Sequence, residues 1–170
     1  MLERCIVITG FMGAGKTSVA QALGVLMNCE AIDLDEEITR LNHSSPMDLI
    51  TNQGEKAFRE IETEVLRQVL DRGAKLIALG GGAWTIPGNR ELLTVRSCLT
   101  VWLDVPFEAC WPRIVASGSG RPLAPNREHA RSLYETRRAL YQMADVRIEA
   151  SDEMTASEVA KLVQRSIGSV

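Results

Sequence analysis

The spacing of apolar and polar positions changes repeatedly along the chain, and each change predicts an element. Residues 4–9, RCIVIT, form a short apolar run that reads as a buried strand. From Lys16 onward, Val19, Ala20, Leu23, Leu26 and Met27 follow helical spacing. EAIDLD reads as a second strand ending in two aspartates. DEEITRLN and SPMDLITNQ then read as short helices, the second opened by Ser45 with Pro46 at its first position. GEKAFREIETEVLRQVLDRG keeps helical periodicity until Gly73. KLIALGGGA is a strand running into glycines, and CLTVWLDVP a strand ended by Pro106. PFEACWPRIVA predicts a helix in which Pro112 marks a kink or an early boundary. SGSGRPLAPN has the Gly/Ser/Pro composition of a mobile loop. A helix over about 127–143, a strand VRIEA and a helix from about Thr155 complete the pattern.

Five strands alternating with helices predict an α/β fold, a parallel sheet covered on both faces. In such sheets ligands bind at the carboxyl ends of the strands. The phosphate-binding candidates after strand one, Asp33 and Asp35 after strand two and Gly80 to Gly82 after strand three all fall there. No repeat or second domain is visible, so residues 1–170 read as one domain, with a mobile lid around 116–127.

Composition narrows the function. A chain of 170 residues is long enough to fold around its own core. A net charge of -3 without a Lys/Arg cluster argues against nucleic acid as a partner. Of the 19 basic residues only four are lysines and 15 are arginines, a skew suited to phosphates and carboxylates. Cys5, Cys29, Cys98 and Cys110 make no C-x-x-C pair and no metal-like grouping with His43 or His129, and read as reduced, mostly buried thiols. The N-terminal apolar run is too short for an anchor or signal, and no later run approaches membrane-spanning length. The expectation is a cytoplasmic monomer acting on small molecules, with no membrane partner.

The strongest chemical signal is GFMGAGKT, residues 10–17, a G-x-x-x-x-G-K-[ST] match lying between a strand and a helix. By chance it should occur in roughly one chain of this length in two hundred. The first turn of a helix has N–H groups without intrahelical partners and carries the positive end of the dipole. Gly10, Gly13 and Gly15 let successive N–H groups converge on a phosphate. Lys16 adds charge for the β- and γ-phosphates, and Thr17 a hydroxyl for Mg²⁺.

GFMGAGKT, DLDEEI, GEKAFREIE, GGGA, GRPL and RRALY occur in the order and approximate spacing of a shikimate kinase, and on these six motifs nearly the whole chain resembles that family. The resemblance implies transfer of the γ-phosphoryl of ATP, with Mg²⁺, to the 3-hydroxyl of shikimate. It also implies a fold like that of the nucleoside monophosphate kinases, with strand order 2-3-1-4-5. Carried onto this chain, Gly13, Ala14, Gly15, Lys16, Thr17 and Ser18 would wrap the phosphates, and Thr17 and Asp33 would serve the metal. Asp35 would take the hydrogen bond of the attacking hydroxyl, and Arg59 and Arg137 would grip the substrate carboxylate. Gly80, Gly81 and Gly82 would approach the ring, and Arg121 would swing over the phosphates from the lid. The chain departs from the usual pattern at Trp84, Ala124 and Ala139, and carries GKTS where GKST is common.

Plainer roles compete for several of these residues. Asp33 and Asp35 fit helix caps, Arg59 could pair on its helix with Glu55 or Glu62, and the glycines could form a turn only. Local sequence does not separate Arg137 from Arg138. Trp84, Trp102 and Trp111 read as packing residues and His43 and His129 as surface. Among functions, a kinase for gluconate or a nucleoside monophosphate is the near alternative. A guanine-nucleotide switch lacks its [NT]-K-x-D motif here.

Overall fold

Four consecutive β-branched residues, Ile6–Thr9, make the central strand β1, and all four are buried. In the computed structural model, which describes residues 4–118 and 125–168, β1 is followed by α1 (Lys16–Met27), β2 (Ala31–Asp33), α2 (Leu34–Asn42), α3 (Pro46–Gln53) and α4 (Glu55–Asp71). Then come β3 (Leu76–Ala78), a 3₁₀ turn at Ala83–Thr85, α5 (Pro87–Val95), β4 (Leu99–Asp104), α6 (Phe107–Ala116), α7 (Arg127–Tyr141), β5 (Val146–Glu149) and α8 (Ala156–Ile167). The strands pair in parallel in the order β2-β3-β1-β4-β5. The chain winds toward β2 on one side of β1 and toward β5 on the other, which opens a crevice at the carboxyl end of β1.

Several helix starts are written locally. Ser45 and Asp48 form a capping box with Pro46 in the first turn of α3, Thr155 and Glu158 another at α8, and Asn126 caps α7. Each such cap is worth about 1 kcal/mol. α4 ends just before Gly73, whose φ of 77° lies in the left-handed region. Among the described residues no helix is long and apolar enough to cross a membrane.

Four sequence expectations need correction or completion. The second strand ends at Asp33, so Asp35 belongs to the first turn of α2 and not to the strand. The helix α5 was not expected, because only Asn89 and Leu93 are buried along it and its periodicity is faint; Pro87 at its first position was the available sign. Pro112 neither ends nor opens α6: its ring is exposed, and the one bond it forgoes is to the carbonyl of exposed Glu108. The lid expected around residues 116–127 falls largely on residues 119–124, which include Arg121 and Ala124 and lie outside the described residues. His43 and His129 are exposed, Trp84 and Trp102 buried, and the four cysteines free.

Candidate active site

The turn after β1 is shaped by glycines that need left-handed angles, Gly13 at φ 77° and Gly15 at φ 83°. A Cβ on Gly13 would also stand 2.6 Å from the carbonyl oxygen of Cys110, so the turn packs directly beneath α6. Gly15 opens α1 without a side-chain cap. The ammonium of buried Lys16 donates to the Phe11 carbonyl across the loop at 2.9 Å. Thr17 donates its hydroxyl to Oδ2 of Asp33, while Oδ1 of Asp33 accepts from the backbone N–H of Asp35 at 2.9 Å and of Glu36 at 3.2 Å. Asp33 is thus a helix cap and a partner of the phosphate loop at once.

Beside this loop lies a cavity of about 400 Å³ that brings together Asp35, Arg59, Glu62, Gly80 to Gly82 and Arg137, with Met12, Ile50 and Phe58 as apolar wall. None of the three glycines has a positive φ; Gly80 and Gly82 have no room for a Cβ because side chains lie against them, and Gly81 packs against the backbone of Met12. A Cβ on Gly80 would sit 2.6 Å from Oδ1 of Asp35 and 3.2 Å from Oε1 of Glu62. One on Gly81 would meet the backbone nitrogen of Met12 at 3.2 Å, with the Arg137 guanidinium in ordinary contact at 3.7 Å, and one on Gly82 would overlap Cζ of Arg59 at 2.7 Å.

Arg59 pairs with Glu62 at 2.8 Å and with Glu55 at 3.2 Å, so the on-helix pairing is real and coexists with a place in the cavity. Glu62 is 1% exposed. Burial pushes its carboxyl up to about 7, against the pull of Arg59, and the nearby Asp35 adds to the rise. Burial works against the charge of Arg59 as well, but Glu62 and Glu55 together raise its pKa. Near neutral pH Glu62 is poised between its two forms beside a permanently charged Arg59. Burial also lowers the pKa of Arg137. Arg138 does not line the cavity: it pairs with Asp104 at 3.2 Å and lies over the Trp102 ring.

Three residues here were not assigned to the site from the sequence. Glu62 falls in the apolar stripe Phe58, Val65, Leu66, Val69 of α4, and a glutamate at a core-facing position was the signal for it. Tyr141 donates its hydroxyl to the Gly81 carbonyl at 2.5 Å. Arg113 reaches from α6 to the Gly13 carbonyl at 3.2 Å and lines a second cavity of about 240 Å³ with Ala14, Gly15 and Ser18. Trp84 does not line this cavity; it is buried and donates Nε1–H to the Leu140 carbonyl at 2.9 Å.

A phosphate-binding loop at the switch point of a parallel 2-3-1-4-5 sheet, adjoining a cavity that holds an acid and two arginines, defines a P-loop kinase of the nucleoside monophosphate kinase type. A family model described as shikimate kinase matches residues 12–167, and the chain belongs to the shikimate kinase family. A shikimate kinase of Cereibacter sphaeroides is 36% identical over 169 residues, covering 98% of this chain and 83% of the relative. The structure of shikimate kinase from Acinetobacter baumannii in complex with shikimate is 34% identical with a TM-score of 0.91, over 98% of this chain and 93% of that one. A gluconokinase from Sinorhizobium meliloti, 15% identical with a TM-score of 0.59 over 99% of this chain and 98% of that one, shares the fold alone.

Proposed function

We propose that this chain transfers the γ-phosphoryl group of ATP to the 3-hydroxyl of shikimate. The observation that carries the reading is the convergence of Asp35, Arg59 and Arg137 on one cavity beside the phosphate loop. Two guanidiniums suit a carboxylate through paired charge-assisted hydrogen bonds, and Asp35 then meets a hydroxyl at the other side. Asp35 accepts the hydroxyl proton as the oxygen attacks. Lys16 and the amides of residues 13–18 hold the phosphates and offset the charge that spreads over the transferring group. The second cavity, walled by Arg113 and Ser18, receives the nucleoside half of ATP. Arg121, assigned from the sequence, adds a guanidinium over the phosphates and its loop excludes water.

Mg²⁺ fits the residues present. The Thr17 hydroxyl and Asp33 carboxylate are hard oxygen donors already in contact, and Mg²⁺ is commonly held by one or two protein oxygens with phosphates and waters. When bound it neutralises charge on the β- and γ-phosphates. The reading places the reaction in the cytoplasm, with one chain supplying the whole site.

The test is ADP release with ATP, Mg²⁺ and a panel of shikimate, quinate, gluconate and nucleoside monophosphates. Shikimate should stimulate turnover well above every other acceptor. Equal or greater turnover with gluconate or a nucleotide would sink the assignment.

A further inference from the structure

Helical spacing places Tyr141 four residues beyond Arg137 on the same face of α7. Both side chains are withdrawn from water, 1% and 6% exposed respectively. The Tyr141 hydroxyl donates to the Gly81 carbonyl at 2.5 Å, and the charge of the nearby Arg137 guanidinium acts on its oxygen. A phenol has one proton to give and lone pairs to accept with. With its proton given to the Gly81 carbonyl, the Tyr141 oxygen has only lone pairs left to offer the Arg137 guanidinium one helical turn away. We propose that Tyr141 is a positioning residue for the acceptor carboxylate, orienting through a single hydroxyl both the Arg137 guanidinium and the peptide between Gly81 and Gly82.

The orientation follows from peptide geometry. In a trans peptide the N–H of Gly82 points opposite to the carbonyl of Gly81. Tying that carbonyl to Tyr141 turns the donor away from α7 and fixes the glycine turn in one setting. Arg137 gains the complementary restraint: a long side chain loses its rotamer freedom before the acceptor arrives, so less is lost on binding. Burial raises the pKa of Tyr141, which keeps the donated proton in place. The ring itself is held independently, stacked on Trp102 with centroids 6.2 Å apart and planes at 29°. Trp84 supplies a second tie between the same segments, from Nε1 to the Leu140 carbonyl, that does not involve the Arg137 guanidinium.

This inference rests on the proposed acceptor site, and the test separates the two. Tyr141→Phe keeps the stacked ring and removes only the oxygen. The shikimate KM should rise about 5- to 10-fold, the scale of one buried hydrogen bond, while the ATP KM and kcat stay within about twofold. Trp84→Phe, which cuts the other tie, should lower Tm at least as much yet leave the shikimate KM within about twofold. In an Arg137→Ala background the Tyr141→Phe effect on KM should shrink to less than half its logarithm. An unchanged shikimate KM in Tyr141→Phe, an equal rise in Trp84→Phe, parallel changes in both substrate KM values, or additive effects in the double variant would each overturn the positioning role. If Arg137→Ala alone leaves shikimate binding intact, the site reading itself fails. A large effect of Arg137→Ala with none from Tyr141→Phe removes this inference only.

Discussion

Thr17 and Asp33, 16 residues apart in the chain, meet at the mouth of the phosphate loop, where the Thr17 hydroxyl donates to Oδ2 of Asp33 while Oδ1 caps α2. One carboxylate therefore fixes the start of a helix and supplies an oxygen beside the loop. The first turn of α2 also carries Asp35, so the cap sets where that acid stands in the cavity.

Asp33→Asn should separate the two tasks. Asparagine is as good a cap as aspartate, so stability without metal should stay within about 0.5 kcal/mol. The Mg²⁺ concentration for half-maximal ADP release should rise about tenfold, because a neutral amide is a weaker partner for a hard cation. A Mg²⁺ titration beside thermal unfolding checks both, and an unchanged Mg²⁺ requirement would remove Asp33 from the surroundings of the metal.

Asp35→Asn keeps the shape and removes the basic carboxylate. Turnover should fall by about 10²–10⁴ with nucleotide affinity nearly unchanged. If kcat stays within a few-fold of wild type, Asp35 is not the proton acceptor or positioner.

Arg137→Ala should weaken shikimate binding roughly 10- to 150-fold, the loss of a charge-assisted hydrogen bond, with ATP binding nearly intact. Arg138→Ala should do far less, since Arg138 is bound to Asp104 outside the cavity. Titration calorimetry with each ligand decides between them; a larger defect in Arg138→Ala would reassign the pair.

Gly82→Ala places a methyl where Arg59 stands, with Cζ 2.7 Å from it. The guanidinium must shift, and the shikimate KM should rise by about tenfold or more with the ATP KM unaffected. Gly88→Ala, in open space within α5, is the control and should be neutral or stabilising by up to about 1 kcal/mol. Steady-state kinetics on the two variants test the idea, and normal kinetics in Gly82→Ala would show that the close approach is not needed.

Glu62 sets a pH dependence. Its carboxyl is raised from an ordinary 4.5 to about 7 by burial, so the folded chain holds this proton more tightly than the unfolded chain. The contribution to stability is complete below about 4.5 and is lost as pH rises through about 7. Between pH 5 and 8 the stability of wild type relative to Glu62→Gln should therefore fall, by at most about 1.4 kcal/mol per pH unit. Denaturant unfolding of both proteins across this range is the measurement. A relative stability that stays flat or rises across this range would mean that Arg59 keeps Glu62 ionised throughout.

Elements with a strong period or a strong local signal were legible without the fold. β1, α1, α4 and the capped helices α3 and α8 follow from runs of apolar residues and from Ser45 and Thr155, because caps and amphipathic stripes are properties of a few neighbouring residues. The phosphate loop is of the same kind: its requirement for left-handed angles at Gly13 and Gly15 is local to the backbone. α5 was not legible, since its hold on the core comes through Asn89 and Leu93 and not through a stripe.

What the sequence alone determined, then, is the chemistry available: a phosphate loop, paired acids after a strand, a set of arginines and a glycine run. Its likeness to a family placed these in order. Tertiary structure decided what each one faces. Neighbouring residues on a helix point about 100° apart, so only the rotation of α7 against the glycine turn puts Arg137 in the cavity and Arg138 on Asp104. Gly80 and Gly82 prove small for want of room, a fact of Asp35, Glu62 and Arg59 arriving from α2 and α4, while Gly81 stands against the backbone of Met12. The proton on Glu62 depends on burial and on charges brought from distant parts of the chain, because the cost of removing a charge from water belongs to the assembled interior and not to any stretch of sequence.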